Sequence, residues 1–360
     1  MGAAAVIASD EWGECLVPRS SVPEDLKAAV RRAIGVVPGW LPRVAPCPWL
    51  ARAMTALIQR PVAFAPPDLC DLIALVVSQD NSCRYCYGMQ RTAMRIYGFD
   101  DAHIDRLIRD FHAAALPREQ QAALEFARRV TRANPRPGRP ELEEVLAAGV
   151  TREVAVEVVA LAALNTFANC GSTLLALPPE PIQRFTAHPL FRVVRPLIAW
   201  RIRPRPRPPE PAPPPAEGPC GRVVGALGRL PSARVLRGII DDAWASDILP
   251  RRTKTLLLGV VGKVLGCQHA EEEARAFLAA DFSPAEVDDV FTHLHSPRLD
   301  AREARLVPFA RETVRYQPGA VQRRLREVAR GLTVAETVET VGVLALANTV
   351  CRLSVVLDAC

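Results

Sequence analysis

The chain has 360 residues, enough for two domains of ordinary size, and 49% of them are hydrophobic, which allows a buried core in each half. Aromatic residues make up only 6%, and the apolar residues are mostly Ala, Leu and Val, a composition that favours helices over sheets. The net charge of +6 is small for this length and argues against a nucleic-acid partner.

The sequence predicts neither secretion nor a membrane span. Residues 1–10 lack the basic start and the apolar stretch of a signal peptide. The apolar run from Val154 to Ala168 is interrupted by Glu157 and Asn165, which indicates a buried core helix. We therefore predict a cytoplasmic protein with no membrane partner, in which the ten cysteines are thiols and any disulfide is transient and catalytic.

Taken in order, residues 1–46 predict an N-terminal arm punctuated by Pro and Gly, and residues 47–180 predict a first helical domain. The apolar residues between Leu69 and Val77 recur at the spacing of one helical face, and no stretch alternates with period two for long enough to be a strand. Residues that favour helix ends mark the expected boundaries: Asp68, Asp100 or Asp101, Thr151 and Gly98.

Residues 181–219 are rich in proline and arginine and predict a linker to a second domain, residues 220–360. Proline is densest in 201–219, where it can continue neither a helix nor a sheet, so we expect an extended, semi-rigid spacer. Six arginines lie between Arg192 and Arg207, and they leave open a contact with acidic partners or anionic lipid. Recognition of the prolines by a proline-binding domain is a third interpretation.

The two predicted domains repeat each other. Residues of the same type recur 183 positions apart in the pairs Pro48 and Pro231, Pro67 and Pro250, Phe99 and Phe282, and Phe126 and Phe309. The separation becomes 182 for Gly149 and Gly331, Thr151 and Thr333, and Glu157 and Glu339. Because the period is that of a whole domain, we predict an all-α protein of tandem helical domains.

Glu157 and Glu339 occupy equivalent positions in the most apolar helix of each repeat. A carboxylate in such a helix is costly unless it is paired. We expect an arginine partner or a helix cap for each, and a polar contribution to a pocket is the alternative.

The first repeat contains the only C-x-x-C of the chain, Cys83-Arg84-Tyr85-Cys86. We expect Ser82 or Asn81 to cap a helix there, so that both thiols lie in its first turn, where the helix dipole stabilises a thiolate. A thiolate attacks a peroxide or a disulfide, and the second cysteine resolves the product. Half of a zinc site and a pair of inert core thiols are the alternatives.

Asp71 lies twelve residues before Cys83, and a polar residue, Gln90, lies four residues after Cys86. With the surrounding helices, this pattern resembles the superfamily of AhpD-like alkyl hydroperoxidases and carboxymuconolactone decarboxylases. The resemblance covers most of the first repeat and implies an all-α fold whose subunits form trimers or hexamers.

The resemblance also implies peroxide reduction, with Cys86 attacking and Cys83 resolving. A glutamate–histidine relay moves the protons in that superfamily, and here the two positions hold Asp71 and Gln90. Glutamine cannot take up a proton at neutral pH. Tyr85 is a candidate to replace the histidine, and Tyr87 and His103 are two others, so all three positions stay open.

The second repeat lacks the C-x-x-C. At a separation of 183, Lys254 takes the place of Asp71, Gly266 that of Cys83, His269 that of Cys86 and Glu273 that of Gln90. We expect a degenerate repeat that is kept for packing. The alternative is a metal site built from residues with suitable side chains: Cys267, His269, Glu273, His293 and His295.

Our main hypothesis is a thiol-dependent peroxidase or disulfide oxidoreductase that uses Cys83 and Cys86, with Asp71, Gln90 and Tyr85 around them. It needs no cofactor or metal. Its partners are a small hydroperoxide and a thiol reductant or electron-donor protein, and the chains form a homo-oligomer, a trimer of two-domain chains. Two alternatives are a non-enzymatic scaffold or binding module and a cysteine-independent enzyme like the lactone decarboxylases.

Overall fold

The described part of the chain, in a computed structural model, is residues 12–112, 115–132, 137–188, 190–202, 208–209, 211–315 and 317–357. These residues form nineteen α-helices and contain no strand, which confirms the predicted all-α class. The N-terminal arm and first half contain α1 (Glu24–Ile34), α2 (Leu41–Val44), α3 (Pro48–Ile58), α4 (Pro67–Asp80), α5 (Arg84–Tyr97), α6 (Asp101–Arg109), α7 (Arg118–Thr131), α8 (Arg139–Ala147) and α9 (Arg152–Leu174).

The remaining helices begin within the predicted linker. They are α10 (Pro181–Thr186), α11 (Phe191–Ile202), α12 (Gly221–Leu227), α13 (Pro231–Ala245), α14 (Arg251–Leu265), α15 (Gln268–Leu278), α16 (Pro284–His293), α17 (Glu303–Glu312), α18 (Pro318–Ala329) and α19 (Val334–Leu357). A 3₁₀ turn, Thr313–Arg315, follows α17.

Seven consecutive helices, α3 to α9, recur in the same order as α13 to α19. Equivalent helices also begin in the same way. The Thr151 hydroxyl accepts the Val154 N–H at the start of α9, and the Thr333 hydroxyl accepts the Glu336 N–H at the start of α19. This order is what the predicted duplication requires.

The two halves share one hydrophobic core. Helices α9 and α19 lie along each other at its centre, and α3 packs on α13. Both central helices are long and apolar enough to cross a membrane, but 78% of the most apolar window of α9 and 94% of that of α19 are buried inside the protein. The interpretation of the run in α9 as a buried core helix is therefore confirmed.

The buried carboxylates of the central helices find partners that the sequence did not predict. Glu157 accepts hydrogen bonds from the backbone N–H groups of Ala63, Phe64 and Ala65, at 2.6, 2.9 and 2.6 Å. These residues precede α4, so Glu157 fixes the loop that leads into that helix. The expected arginine partner was wrong, because three backbone donors already satisfy the carboxylate.

Glu339 is satisfied differently. It accepts the Trp49 indole N–H at 2.9 Å and the Leu249 backbone N–H at 2.5 Å, and it pairs with the Lys254 ammonium at 3.4 Å. Lys254 and Glu339 are both fully buried. The partner is thus a lysine, and Trp49 ties the second half to α3 of the first.

The N-terminal arm and the predicted linker both contact the rest of the protein. In the arm, α1 packs on α3, and the Gly13 N–H donates to Gln322 of α18 at 2.9 Å. In the linker, α10 and α11 pack on α5. The extended form predicted for 201–219 was wrong at residues 201 and 202, which end α11. For the rest of the segment it stays a prediction, because residues 203–207 and 210 are outside the described part.

Candidate thiol site

The junction of α4 and α5 places Cys83 at a helix start. Asn81 ends α4, and Ser82 follows with a φ of 48°, in the left-handed region. Cys83 then returns to extended backbone, and its N–H donates to the Ser78 carbonyl at 3.0 Å. The expected cap, Ser82 or Asn81, was therefore wrong: the left-handed turn at Ser82 ends before the helix, and Cys83 itself is the N-cap of α5.

The sulfur of Cys83 acts as the capping acceptor. It accepts the Cys86 backbone N–H at 3.4 Å, and the Cys86 thiol is hydrogen-bonded to the same sulfur. Both cysteines are free thiols, with Cys83 fully buried and Cys86 8% exposed. The two thiols therefore lie together at the start of a helix, but only Cys86 is in its first turn, since Cys83 precedes the helix as its N-cap. Cys83 is the deeper of the two.

The environment of Cys83 favours a thiolate. Burial alone would raise its pKa, but hydrogen bonds from the Cys86 thiol, the Thr173 hydroxyl and the backbone N–H groups of Cys86 and Tyr85 lower it from the ordinary value of 9.0. Burial is the largest cause that raises the pKa values of two other buried thiols, Cys70 and Cys170, to about 12. The pKa of Cys83 thus differs from those of the other buried cysteines because of the hydrogen bonds that its sulfur accepts.

The pKa of Cys86 moves in the opposite direction. The hydrogen bond to Cys83, which needs the Cys86 proton, raises the pKa of Cys86 well above 9.0, and burial raises it further. Ser172 and Asn169 oppose this shift through hydrogen bonds to Cys86. The pKa of Cys83 is therefore lowered and that of Cys86 raised, which makes Cys83 the more acidic thiol of the pair.

Helix α9 supplies the polar wall of the site. Asn169, Ser172 and Thr173 lie at i, i+3 and i+4, on one face of the helix. The Cys86 thiol contacts the Ser172 hydroxyl at 3.6 Å, and the Asn169 amide donates to the Ser78 hydroxyl at 3.3 Å. We did not predict these three residues, although a polar face in the most apolar helix of the repeat is a signal that the sequence contains.

The second half also contacts this wall. The Gln322 amide donates to the Thr173 carbonyl at 2.8 Å, and its carbonyl accepts the Gly13 N–H. Gln322 is buried. The backbone that carries Thr173 is therefore held by α18 and, through Gln322, by the N-terminal arm.

Tyr85 is hydrogen-bonded through its hydroxyl to a carboxylate. Its hydroxyl donates to Glu180 at 3.1 Å, and the other Glu180 oxygen accepts the Gly39 N–H at 3.0 Å. Burial and the nearby Glu180 carboxylate raise the pKa of Tyr85 well above 10.0. Tyr85 thus links α5 to the start of α10 and to the arm, and Glu180 is a further residue that we did not predict.

The structure does not bring Asp71 to the thiols. Asp71 is buried and forms an ion pair with Arg60, which precedes α4. It lies seven residues before Ser78 on α4, about 10 Å along the helix axis. Gln90 lies one turn beyond Cys86 on α5 and is half-buried. Of the five predicted site residues, only Cys83 and Cys86 contact each other through their side chains.

The equivalent position in the second half requires a correction. Cys267 is the N-cap of α15, with φ −84° and ψ 92°, against −81° and 95° for Cys83. Its N–H donates to the Gly262 carbonyl at 2.9 Å, the same contact that Cys83 makes to Ser78. The match of Gly266 to Cys83 was therefore wrong by one residue.

The corrected separation is 184, which matches Ala270 to Cys86 and His269 to Tyr85. The second half thus retains the first cysteine and lacks the second. Within the described ranges, no group of three or more His, Cys, Asp or Glu side chains is arranged to hold a metal ion.

Comparison with models of known protein families and with curated proteins finds no match. The candidate site therefore depends on its geometry and on the sequence pattern.

Proposed function

We propose that the protein is a thiol-dependent peroxidase or disulfide oxidoreductase of the AhpD-like type, with Cys83 and Cys86 as its redox pair. The observation that carries the proposal is the capping geometry: Cys83 accepts the N–H groups at the start of α5 and the Cys86 thiol, and its pKa is lowered where burial raises those of other thiols. A buried thiolate beside a protonated thiol is the arrangement that a two-cysteine cycle needs.

In the first step, the Cys83 thiolate attacks the outer oxygen of a hydroperoxide, and the O–O bond breaks. The leaving alkoxide takes the Cys86 proton and departs as the alcohol, which leaves Cys83 as a sulfenic acid and Cys86 as a thiolate. Cys86 then attacks the Cys83 sulfur, and the leaving hydroxide takes a proton to become water. The products are one alcohol, one water and a Cys83–Cys86 disulfide.

This order reverses the roles that the resemblance implies, since Cys83 is the cysteine of the pair whose pKa is lowered. It also removes the need for a histidine at Gln90, because Cys86 supplies the first proton. A small thiol or an electron-donor protein reduces the disulfide by thiol–disulfide exchange and restores both cysteines.

The test is hydroperoxide consumption by the full chain with a dithiol reductant. We expect Cys83→Ser and Cys86→Ser to reduce the rate to that of buffer, and Cys15→Ser, which removes a half-buried thiol, to leave it unchanged. A general base contributes about a hundredfold where a reaction lacks another group to transfer the proton. Cys86 already supplies the proton here, so Gln90→His should change the rate by less than about tenfold. Consumption that persists in Cys83→Ser would exclude the proposal.

The order of attack has its own test. A sulfenic-acid reagent such as dimedone should label Cys83 in the Cys86→Ser variant after one addition of hydroperoxide. Trypsin cuts after Arg84 and places the two cysteines on separate peptides, so mass spectrometry assigns the label. A label on Cys86 in Cys83→Ser, with none on Cys83 in Cys86→Ser, would restore the order that the resemblance implies.

A non-enzymatic scaffold is the second candidate. The observation that favours it is the ion pair of Asp71 with Arg60, which occupies the carboxylate that a proton relay needs. If the protein is such a scaffold, the Cys86→Ser variant should bind partners and form oligomers as the wild type does. The predicted trimer of chains is tested in the same samples by light scattering, and a monomer would exclude it.

A further inference from the structure

The outward face of α11 is apolar. Leu190 immediately precedes the helix, and Val193, Leu197 and Trp200 follow it at the spacing of one helical face. The exposed fractions of these four side chains, in chain order, are 71%, 79%, 69% and 73%. Single exposed apolar side chains are normal in proteins, but four of them in one row along a helix mark an interaction surface. We call these four residues the apolar row.

The opposite face of α11 holds the helix on the protein. Phe191 is buried and meets Phe185 of α10 edge to face, with the ring centroids 5.4 Å apart. The guanidinium of Arg195 lies beside Gly98, the residue that ends α5. Both α10 and α11 pack on α5. The packing therefore fixes which face of α11 meets the partner, and that face is the apolar row.

The segment around the apolar row carries the net positive charge of the chain. Residues 181–209 contain seven arginines and no Asp or Glu. The rest of the sequence has 38 Lys or Arg against 39 Asp or Glu, so it is close to neutral. In the structure, Arg184 of α10 is exposed and Arg195 of α11 is half-buried. The partner of this surface should therefore offer both apolar groups and negative charge.

Two other kinds of partner match these features less well. A second copy bound through the same face about a two-fold axis would bring the arginines of both copies together, and the segment has no acidic residue to offset them. A nucleic acid offers phosphates, but it leaves a row of valine and leucine side chains without apolar contacts. The surface of a bilayer that contains anionic lipid supplies both the acyl chains and the negative charge.

We propose that α11 is an interfacial helix that docks the protein on a membrane surface containing anionic lipid. The helix has 12 residues, a length of about 18 Å, and the hydrocarbon core of a bilayer is about 30 Å thick, so α11 lies in the plane of the surface. The apolar row enters the boundary between headgroups and acyl chains, and the arginines bind the anionic headgroups. Our expectation of no membrane partner considered only signal peptides and spanning helices, and an interfacial helix is neither. This docking involves none of the thiols.

The test is co-sedimentation of the full chain with vesicles of phosphatidylcholine, either alone or mixed with phosphatidylserine in equal parts. We expect binding to the mixed vesicles to be tighter by roughly tenfold or more, and to weaken as salt is added. The tryptophan emission of the wild type should move to shorter wavelength on binding, and Trp200→Phe should lose this shift while it still binds. Equal binding to both kinds of vesicle, or binding to neither, would overturn the proposal.

A double variant tests the apolar row. Leu197→Ser with Trp200→Ser changes two exposed side chains and should weaken binding to the mixed vesicles by roughly tenfold or more. The matched control is Val264→Ser with Val334→Ser, at two valines outside α10 and α11 that are 37% and 38% exposed, and it should bind as the wild type does. Circular dichroism checks that both variants are folded. Equal binding by the two double variants would contradict the role of the row.

A second double variant tests the charge. Arg184→Gln with Arg195→Gln should weaken binding to the mixed vesicles by about tenfold at low salt and by less at high salt. Two results would assign the surface to another partner and overturn the proposal. One is an oligomer of the wild type, measured by light scattering, that the serine variant of the apolar row dissociates while neither protein binds vesicles. The other is tighter binding to single-stranded RNA than to the mixed vesicles.

Discussion

The two halves of the molecule begin the same helix with the same residue and then complete the site differently. In the first half, Cys83 caps α5 and its partner Cys86 lies in the next turn, whereas in the second half Cys267 caps α15 and the next turn holds Ala270. The backbone contact that places the cap is the same in both, from the cysteine N–H to a carbonyl five residues earlier. The frame of a site can therefore persist while its side chains are replaced.

The buried carboxylates also occupy equivalent positions in the two halves but have different hydrogen-bond partners. Glu157 holds three backbone N–H groups before α4, and Glu339 holds one such group, Leu249, before α14. Lys254 and Trp49 complete the coordination of Glu339. The second half has thus replaced backbone donors by side chains, and its stability should depend more strongly on a single ion pair.

The largest expected effect comes from breaking that ion pair. Lys254→Met leaves Glu339 buried and without its cation, and we expect a loss of about 3–5 kcal/mol in the free energy of unfolding. Denaturation by urea, followed by circular dichroism, measures it. The matched control is Arg52→Met, which breaks the exposed pair of Arg52 with Asp242 and should cost about 1 kcal/mol or less. Equal losses in both variants would contradict the comparison.

The corresponding change in the first half is Glu157→Ala. It leaves the N–H groups of residues 63–65 without their acceptor, and we expect a loss of about 2–3 kcal/mol at neutral pH, since each unsatisfied buried group costs about 1–3 kcal/mol and the loop relaxes in part. A loss as large as that of Lys254→Met would show that backbone donors stabilise the first half as strongly as the ion pair stabilises the second.

Glu157 also predicts a dependence on pH. Burial raises its pKa from 4.5, against the three backbone hydrogen bonds, so the folded protein binds this proton more tightly than the unfolded chain does. The stabilising contribution of the protonated form is complete below about pH 4.5 and is lost as the pH rises through the raised value. Urea midpoints of the wild type should fall over this interval relative to those of Glu157→Ala, and a constant difference would contradict the raised pKa.

The sequence predicted much of the fold because helix ends are local. Asp100 accepts the His103 N–H at the start of α6, Thr151 caps α9, and Gly98 ends α5 in the left-handed conformation, all as expected. Asp68 was wrong as a cap, because Pro66 is the N-cap of α4 and Asp68 lies in its first turn.

The alignment of the two repeats was also wrong by one residue at the start of α4. The predicted match of Pro67 to Pro250 was wrong, because Pro250 is the N-cap of α14 and so corresponds to Pro66, the N-cap of α4. A pair of adjacent prolines fits both the N-cap and the first position of a helix, so sequence alone did not separate the two alignments. The error of one residue hid Cys267 as the equivalent of Cys83.

The residues that tune the thiols were beyond local inference. Thr173 and Ser172 reach the pair from α9, almost ninety residues later in the chain, and Gln322 braces Thr173 from the other half. Only the packing of α9 on α5 and of α18 on α9 brings them together. Sequence spacing identified the two cysteines, and tertiary contacts decide which of them has the lowered pKa.

The smallest expected effect comes from removing one hydrogen-bond donor to the Cys83 sulfur, the Thr173 hydroxyl. Position 355, 182 residues after Thr173, is a valine, so Thr173→Val makes the first half resemble the second. The variant loses a hydrogen bond to the Cys83 sulfur, worth about 1.5 kcal/mol when the acceptor is charged, and the pKa of Cys83 should rise. The ultraviolet absorbance of the thiolate as a function of pH measures this rise, with Cys83→Ser as the blank.

Thr166→Val is the control, because Thr166 lies on the same helix but bonds to Thr131 and the Ala162 carbonyl. If both valine variants shift the titration equally, the change comes from the helix as a whole, and Thr173 is not the donor that sets the charge on Cys83.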